Sequence, residues 1–170
     1  MSLASADVGA QFCSYCGRPP IDGSQERANR VCPRCKMGVV LQARRVGAPS
    51  HRDSFLIIDE DLIVRALSRR AEVLLAVDEP AGVDIPLNRF LICDNGDSDG
   101  VELAWLIGLA LALTPSFTFS LRSRKDPPVR LDARITSCGP PPAAVLILTP
   151  TADDGSTVLG NVTTHVSHSR

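Results

Sequence analysis

Apolar and polar residues alternate in two segments of the second half of the chain, and this period is typical of strands. In residues 117–122, Phe117 and Phe119 are apolar while their neighbours are polar, and the same alternation runs through residues 129–136, which include Ile135. A period of two places every second side chain on one face of a sheet. Residues 143–148, with Ile147, are apolar throughout. We therefore predict three antiparallel strands here.

The segment from 55 to 91 predicts a hairpin followed by a helix. Two short apolar runs, residues 55–58 and 62–67, are separated by the acidic turn 59–61. Ser68 stands at the N-cap position of a helix over residues 69–77, and Pro80 ends that pattern. Residues 82–91 predict irregular turns or short helices.

A second helix is predicted over residues 102–113. Its sequence, ELAWLIGLALAL, is apolar on nearly every side. Such a helix has to be covered on most of its faces, either by its own chain or by a second copy.

The segment Ser68-Arg69-Arg70-Ala71-Glu72-Val73-Leu74-Leu75-Ala76, with Gly82 after it, resembles the PAS family pattern N-P-A-A-E-x-L-L-G. The order of predicted elements over residues 53–150 (strand, strand, helices, long helix, three strands) is also similar to that family. The resemblance implies an α+β fold, with a five-stranded antiparallel sheet and flanking helices. The long helix would lie across the sheet and wall a pocket. Any α+β domain that begins with a hairpin and a helix would share the first part of the pattern.

Four cysteines near the N-terminus have the spacing of a metal site. They are Cys13, Cys16, Cys32 and Cys35, in two C-x-x-C pairs. Each pair presents two thiolates from one turn, and two turns complete a tetrahedron, so we predict a structural zinc ion with no open position for a catalytic water. Residues 12–45 resemble a zinc ribbon. Disulfides, a redox pair or an iron site are the alternatives.

Charge around the cysteines allows two interpretations. Residues 1–45 contain seven Lys or Arg and three Asp or Glu, a local charge of +4, with Arg18, Arg34 and Lys36 close to the cysteines. These cations could offset the charge of the thiolates, which we favour, or they could contact nucleic acid.

The chain is predicted to divide into five parts. These are a disordered N-terminus (1–11), a zinc ribbon (12–45), a linker (46–52), a PAS-like domain (53–150) and a flexible tail (151–170).

PAS domains bind haem, flavin or small metabolites, or act without a ligand as dimerisation modules. Haem is not expected, since the three histidines, His51, His165 and His168, lie in the linker and the tail. Flavin is not expected, because residues 87–91 resemble the flavin motif N-C-R-F-L-Q without its cysteine. The resemblance implies a pocket for a hydrophobic, fatty-acid-like ligand, unless the same side chains simply fill the core. The lining residues would be Phe90, Trp105, Leu106, Leu109, Leu113, Phe117, Phe119, Ile135 and Ile147.

Composition narrows the functional classes. The net charge is −1 and aromatic residues make up 4% of the chain, which argues against a general nucleic-acid surface. We find no nucleophile with a base, no phosphate loop and no open metal site, so no enzyme activity is expected.

No leader and no membrane span are predicted, and we expect a cytoplasmic homodimer. It would act as a sensor or signalling module that passes its signal to a separate protein. The alternative is a transcription-linked regulator whose ribbon contacts DNA or polymerase.

Overall fold

A computed structural model describes residues 9–21, 30–94, 100–112 and 118–151. Within these ranges, eight strands form one antiparallel sheet. The strands are β1 (Ala10–Cys13), β2 (Val40–Ala43), β3 (Ser54–Ile58), β4 (Val64–Leu67), β5 (Leu91–Cys93), β6 (Thr118–Ser123), β7 (Arg130–Gly139) and β8 (Ala143–Pro150). The helices are α1 (Arg69–Leu75), α2 (Glu79–Gly82) and α3 (Val101–Ala112), with short 3-10 turns at Arg45–Gly47 and Leu87–Arg89.

The sheet confirms the predicted fold class. Strands β4, β3, β8, β7 and β6 lie side by side in that order, and the helices fall where the sequence places them, between β4 and β6. This is the PAS-like five-stranded sheet with flanking helices that was expected. Three strands were not predicted. Strand β5 pairs with the outer edge of β6, and the hairpin β1–β2 joins the far end of β7.

The central strands β3 and β8 are buried on both faces of the sheet. In β3, Leu56 and Ile58 belong to the core cluster that includes residues of α1 and α3, while Phe55 and Ile57 belong to a cluster on the opposite face. The side chains of β8 are shared between the same two clusters, since alternate side chains of a strand point to opposite faces. This double burial explains why both strands are apolar without alternation.

The cysteine-containing hairpin covers the second face. The rings of Phe12 in β1 and Phe55 in β3 meet edge to face with centroids 5.9 Å apart. Strand β2 also continues the sheet, with Ala43 opposite Cys138 of β7. Hydrophobic burial therefore joins the predicted ribbon to the PAS-like body.

The five-part division of the chain stays a prediction, and its boundaries compare with the structure as follows. Strand β1 begins at Ala10, inside the N-terminal segment predicted to be disordered. Residues 1–8 and 152–170, which hold the rest of that segment and nearly all of the predicted tail, lie outside the described residues. In the predicted linker, a Cβ added to Gly47 would lie 2.6 Å from Thr136 of β7. That part of the linker therefore lies directly against the sheet.

The first helix ends earlier than predicted. Helix α1 stops at Leu75 because Ala76 has left-handed backbone angles (φ 54°, ψ 46°) and its N–H donates to the carbonyl of Glu72. The sequence predicted a helix over residues 69–77, so the observed end is two residues earlier. Pro80 lies in the first turn of α2, where a missing N–H leaves no intrahelical bond unmade.

Helix α3 matches its predicted range within one residue, but this chain covers less of it than expected. The helix packs against β5 and β7, and Leu103 and Ile107 are buried. Val101 and Trp105 are 72% and 64% exposed. One apolar face therefore points outward. No helix in the described residues is long and apolar enough to cross a membrane.

Ser68 connects the hairpin β3–β4 to α1. Its buried hydroxyl oxygen accepts hydrogen bonds from the N–H groups of Ala71, in the first turn of α1, and Phe55, in β3. The predicted N-cap is confirmed, and the bond to Phe55 is an additional role.

We expect Ser68→Ala to lower the free energy of unfolding by about 1–3 kcal/mol, because the variant loses the cap and leaves a buried N–H without a partner. Urea unfolding followed by circular dichroism measures this loss. Ser137→Ala, at an exposed position of β7, is the matched control and should change the stability by less than about 0.5 kcal/mol. Equal effects of the two substitutions would contradict the assigned role.

Candidate metal centre

The structure brings the four predicted cysteines together. Their sulfur atoms all lie within 4.8 Å of one another, with Cys13 3.6 Å from Cys35 and Cys16 3.9 Å from Cys32. Four sulfurs about 2.3 Å from a tetrahedral ion would be about 3.8 Å apart. The cysteines therefore fit one tetrahedral metal ion.

The two C-x-x-C turns are built alike. In each, the residue after the second cysteine has a positive φ, 67° at Gly17 and 60° at Lys36, and its N–H donates to the carbonyl of the first cysteine at 3.0 Å. Gly17 adopts this conformation without steric cost, because it has no Cβ. Lys36 adopts it despite its Cβ, which the sequence did not indicate.

Backbone N–H groups support the sulfur atoms. The N–H groups of Tyr15 and Cys16 point to the sulfur of Cys13 at 3.4 and 3.5 Å. Burial nevertheless raises the pKa of the Cys13 thiol when no metal is bound. At Cys35 burial acts in the same direction but is outweighed by the N–H groups of Gly38 and Met37, which bring the pKa to about 7. Because the thiolate is the form that binds a metal ion, this lowered pKa favours binding at Cys35.

Tyr15 ties the first cysteine turn to the PAS-like body. Its carbonyl accepts a hydrogen bond from the N–H of Arg69 at 3.1 Å, and its hydroxyl donates to Glu72 at 3.2 Å. Burial, followed by the charge of Glu72, raises the pKa of the Tyr15 hydroxyl. The other carboxylate oxygen of Glu72 accepts from the N–H of Glu79 in α2. Sequence reasoning gave Tyr15 no role, since nothing local indicates a contact 57 residues away.

The residues predicted to line a hydrophobic pocket do not form one continuous wall. Phe119 is buried in the core cluster beneath α3, and Phe90, Leu106 and Ile135 pack against it while half-buried. Ile147 lies on the opposite face of the sheet with Phe12 and Phe55. The remaining residues of the set are Leu109, which is half-buried, Trp105, which is exposed, and Leu113 and Phe117, which lie outside the described residues.

Two clefts lie beside α1, and the first of them lies where the ribbon meets that helix. One, with a volume of about 260 Å³, lies beside Cys16 and Cys35, and the other, of about 530 Å³, lies beside Val73 and Leu74. Both are lined by Arg69 and Arg70. The sequence analysis did not predict these clefts. The walls of the first come from segments that are distant along the chain.

Comparisons with known proteins add the following. No family model and no curated protein matches the chain. Among solved structures, the chain is similar to the PAS domain of an HTR-like protein from Haloarcula marismortui, with 12% identity and a TM-score of 0.48, over 59% of this chain and 87% of that one. It is also similar to the PAS domain of nitrogen regulation protein NR(II) from Vibrio parahaemolyticus, with 16% identity and a TM-score of 0.44, over 58% and 89%. The fold class follows from the chain's own order of strands and helices.

We expect the purified protein to bind one Zn²⁺ per chain and Cys32→Ser to lose most of it, because three thiolates bind the ion far more weakly than four. Metal analysis after dialysis, with circular dichroism as the check on folding, measures this. Cys93→Ala, in the core beneath α3, is the control and should keep a full equivalent. Retention of zinc by Cys32→Ser would contradict the assigned ligands.

Proposed function

We propose that this chain is a PAS-like sensor or signalling module that acts as a homodimer and passes its signal to a separate protein. The observation that carries the proposal is the combination of a five-stranded sheet with a helix, α3, that lies over it and keeps an apolar face exposed. A helix in that position can shift when a ligand binds between it and the sheet. Its exposed face can then transmit the shift to a partner protein. No catalytic residues are assigned.

The ion proposed for the cysteine cluster is zinc, in a structural role. Four sulfur ligands at tetrahedral distances suit Zn²⁺ and leave no coordination position for a substrate or water. A structural ion also suits the position of the hairpin, because β1 and β2 are four-residue strands whose packing on the sheet depends on a fixed turn geometry.

We propose that the exposed face of α3 is the dimer interface, with a second copy of the chain as its occupant. Val101, Trp105 and Gly108 are spaced four and three residues apart, so they share this face. A two-fold interface places the same patch on both subunits, and an uncharged patch can meet its own copy without repulsion. A Cβ added to Gly108 would meet nothing within 4 Å, so a partner's Trp105 has room to pack there.

The proposed ligand of the body is a hydrophobic, fatty-acid-like molecule beneath α3. Phe90, Leu106 and Ile135 support this, because they are apolar, only half-buried and adjacent to the core cluster. A ligand that separated α3 from β7 would bury these surfaces further and would move the proposed dimer face.

The alternative function is a transcription-linked regulator whose ribbon contacts DNA or polymerase. The exposed side chains of Arg18, Arg34 and Lys36 on the cysteine turns favour it. Binding to duplex DNA that weakens steeply with salt would support this alternative over the sensor.

We expect Trp105→Glu to weaken dimerisation about a hundredfold or more, because an unpaired carboxylate buried in an apolar interface costs several kcal/mol. Sedimentation equilibrium over a range of protein concentrations measures the dimer dissociation constant. Val46→Glu, at a residue 64% exposed in the 3-10 turn after β2, is the control and should leave the constant unchanged. A monomeric parent protein would refute the proposed dimer.

Native mass spectrometry of the freshly purified protein should show a co-purified mass of a few hundred daltons beyond the zinc, the size of a ligand that a small-molecule pocket holds. Ile135→Trp should remove that mass by filling the space beneath α3 with ring atoms. Ile147→Val, on the opposite face of the sheet, should retain it. A protein that carries zinc alone, and that takes up no added palmitate, contradicts the hydrophobic ligand.

A further inference from the structure

The cleft beside the cysteine cluster is unusually rich in arginine. Its volume is about 260 Å³, and it lies between the two cysteine turns and the start of α1. Its lining consists of Tyr15, Cys16, Arg18, Arg34, Cys35, Asp53, Phe55, Ser68, Arg69 and Arg70. Four guanidinium groups and one carboxylate give these side chains a formal charge of +3, apart from the cysteines.

The arginines come from both parts of the fold. The backbone N–H of Arg69 donates to the carbonyl of Tyr15, which joins the start of α1 to the first cysteine turn. Arg34 donates from Nε to the carbonyl of Pro19 at 3.1 Å, which fixes its guanidinium plane. The cleft is therefore built by the docking of the ribbon on α1, and it would not exist in either part alone.

Within the described residues, the cleft arginines have no carboxylate at ion-pair distance. In the described part of the chain, the ion pairs are made by Arg65, Arg122 and Arg130, and none of the four cleft arginines takes part in one. Asp53, the acid in the lining, accepts a hydrogen bond from the N–H of Ser50 at 2.7 Å.

The metal centre offsets only part of this charge. Four thiolates on a divalent ion carry about −2, which is smaller than the +3 of the cleft side chains. Arg69 and Arg70 also belong to α1 rather than to the cysteine turns. About +1 remains after this offset, and the cleft arginines without ion-pair partners among the described residues indicate an anionic ligand.

We propose that this cleft binds the phosphoryl group of a small phosphate monoester. Guanidinium groups form planar, two-bond contacts with phosphate oxygens, and several of them around one cleft favour a dianion. The cleft is small compared with the ~300–1,000 Å³ of a complete small-molecule site. It therefore suits a head group.

The adjoining cleft suits the organic part of the ligand. It has a volume of about 530 Å³, shares Arg69 and Arg70 with the first, and is otherwise lined by Ser54, Val73 and Leu74. Val73 is 79% exposed and offers an apolar surface next to the arginines. An ester with an apolar or aromatic group would reach it, whereas inorganic phosphate would not.

A ligand in this position would touch both the metal-binding turns and α1. The proposal rests on the proposed sensor function for its biological role, but binding is measured independently of dimerisation. A protein that bound the ester and stayed monomeric would refute the dimer and support this site. A dimer that bound no ester would support the proposed dimer and refute this site.

Isothermal titration calorimetry of the zinc-loaded full chain, with phenyl phosphate and inorganic phosphate as probes, tests the site. We expect Arg70→Ala, and separately Arg69→Ala, to weaken phenyl phosphate roughly tenfold or more, as for the loss of a charged hydrogen bond. Arg89→Ala, which removes an exposed arginine outside both clefts, should change the dissociation constant less than twofold. Zinc content should be unchanged in all three variants, because none of them is a ligand.

A second variant tests the adjoining cleft. Val73→Ser should reduce the preference for phenyl phosphate over inorganic phosphate while leaving inorganic phosphate binding as it was. Absence of phosphate binding by the parent protein overturns the proposal, as does equal weakening by Arg70→Ala and Arg89→Ala. A duplex DNA that binds through Arg70 when phenyl phosphate does not would overturn the small-molecule ligand in favour of nucleic acid.

Discussion

The contact between Phe12 and Phe55 completes a core that the PAS-like sheet cannot complete with its own helices. The helices bury one face of the central strands, and the other face, with Ile57 and Ile147, is equally apolar. Burial of apolar surface is worth about 25 cal/mol per Å², so an uncovered second face would remove much of the stability of a domain of about 100 residues. The cysteine hairpin supplies that cover, and a metal ion would in turn fix the hairpin.

Hydrogen bonds connect the first cysteine turn to α1. Tyr15 lies between two ligands, receives a hydrogen bond from Arg69 at the start of α1 and donates one to Glu72 within it. Glu72 then binds the first N–H of α2. Any movement of the first cysteine turn therefore reaches two helices through three hydrogen bonds. The cysteine hairpin is therefore placed to act on the PAS-like body as well as to stabilise it.

Local sequence patterns predicted the strands, the helix start and the cysteine cluster that depend on residues close together along the chain. Strands β6 and β7 follow from alternation, the start of α1 from Ser68, and the cysteine cluster from its spacing. The features that were missed depend on contacts between distant residues. The pairing of β2 with β7 spans almost 100 residues, and nothing in residues 40–43 indicates its partner. Ile147 was assigned to the wrong face for a ligand pocket because a fully apolar strand gives no sign of which side each residue occupies.

The end of α1 shows a second limit of local reasoning. The helix predicted over residues 69–77 ends two residues early, at Leu75, because Ala76 takes a left-handed conformation that is rare outside glycine. Helix α2 follows directly and packs on β4, a contact that the local sequence does not indicate.

One edge of strand β7 pairs with two different strands. Residues 130–134 pair with β6, and residues 138 and 139 pair with β2 of the cysteine hairpin. An edge strand that lacks a neighbour exposes a row of N–H and carbonyl groups to which another chain can add. By covering the far end of that edge, the hairpin also guards the sheet against strand addition. Detachment of the hairpin would therefore expose the backbone groups of residues 138 and 139 to a neighbouring chain, together with the apolar face above them.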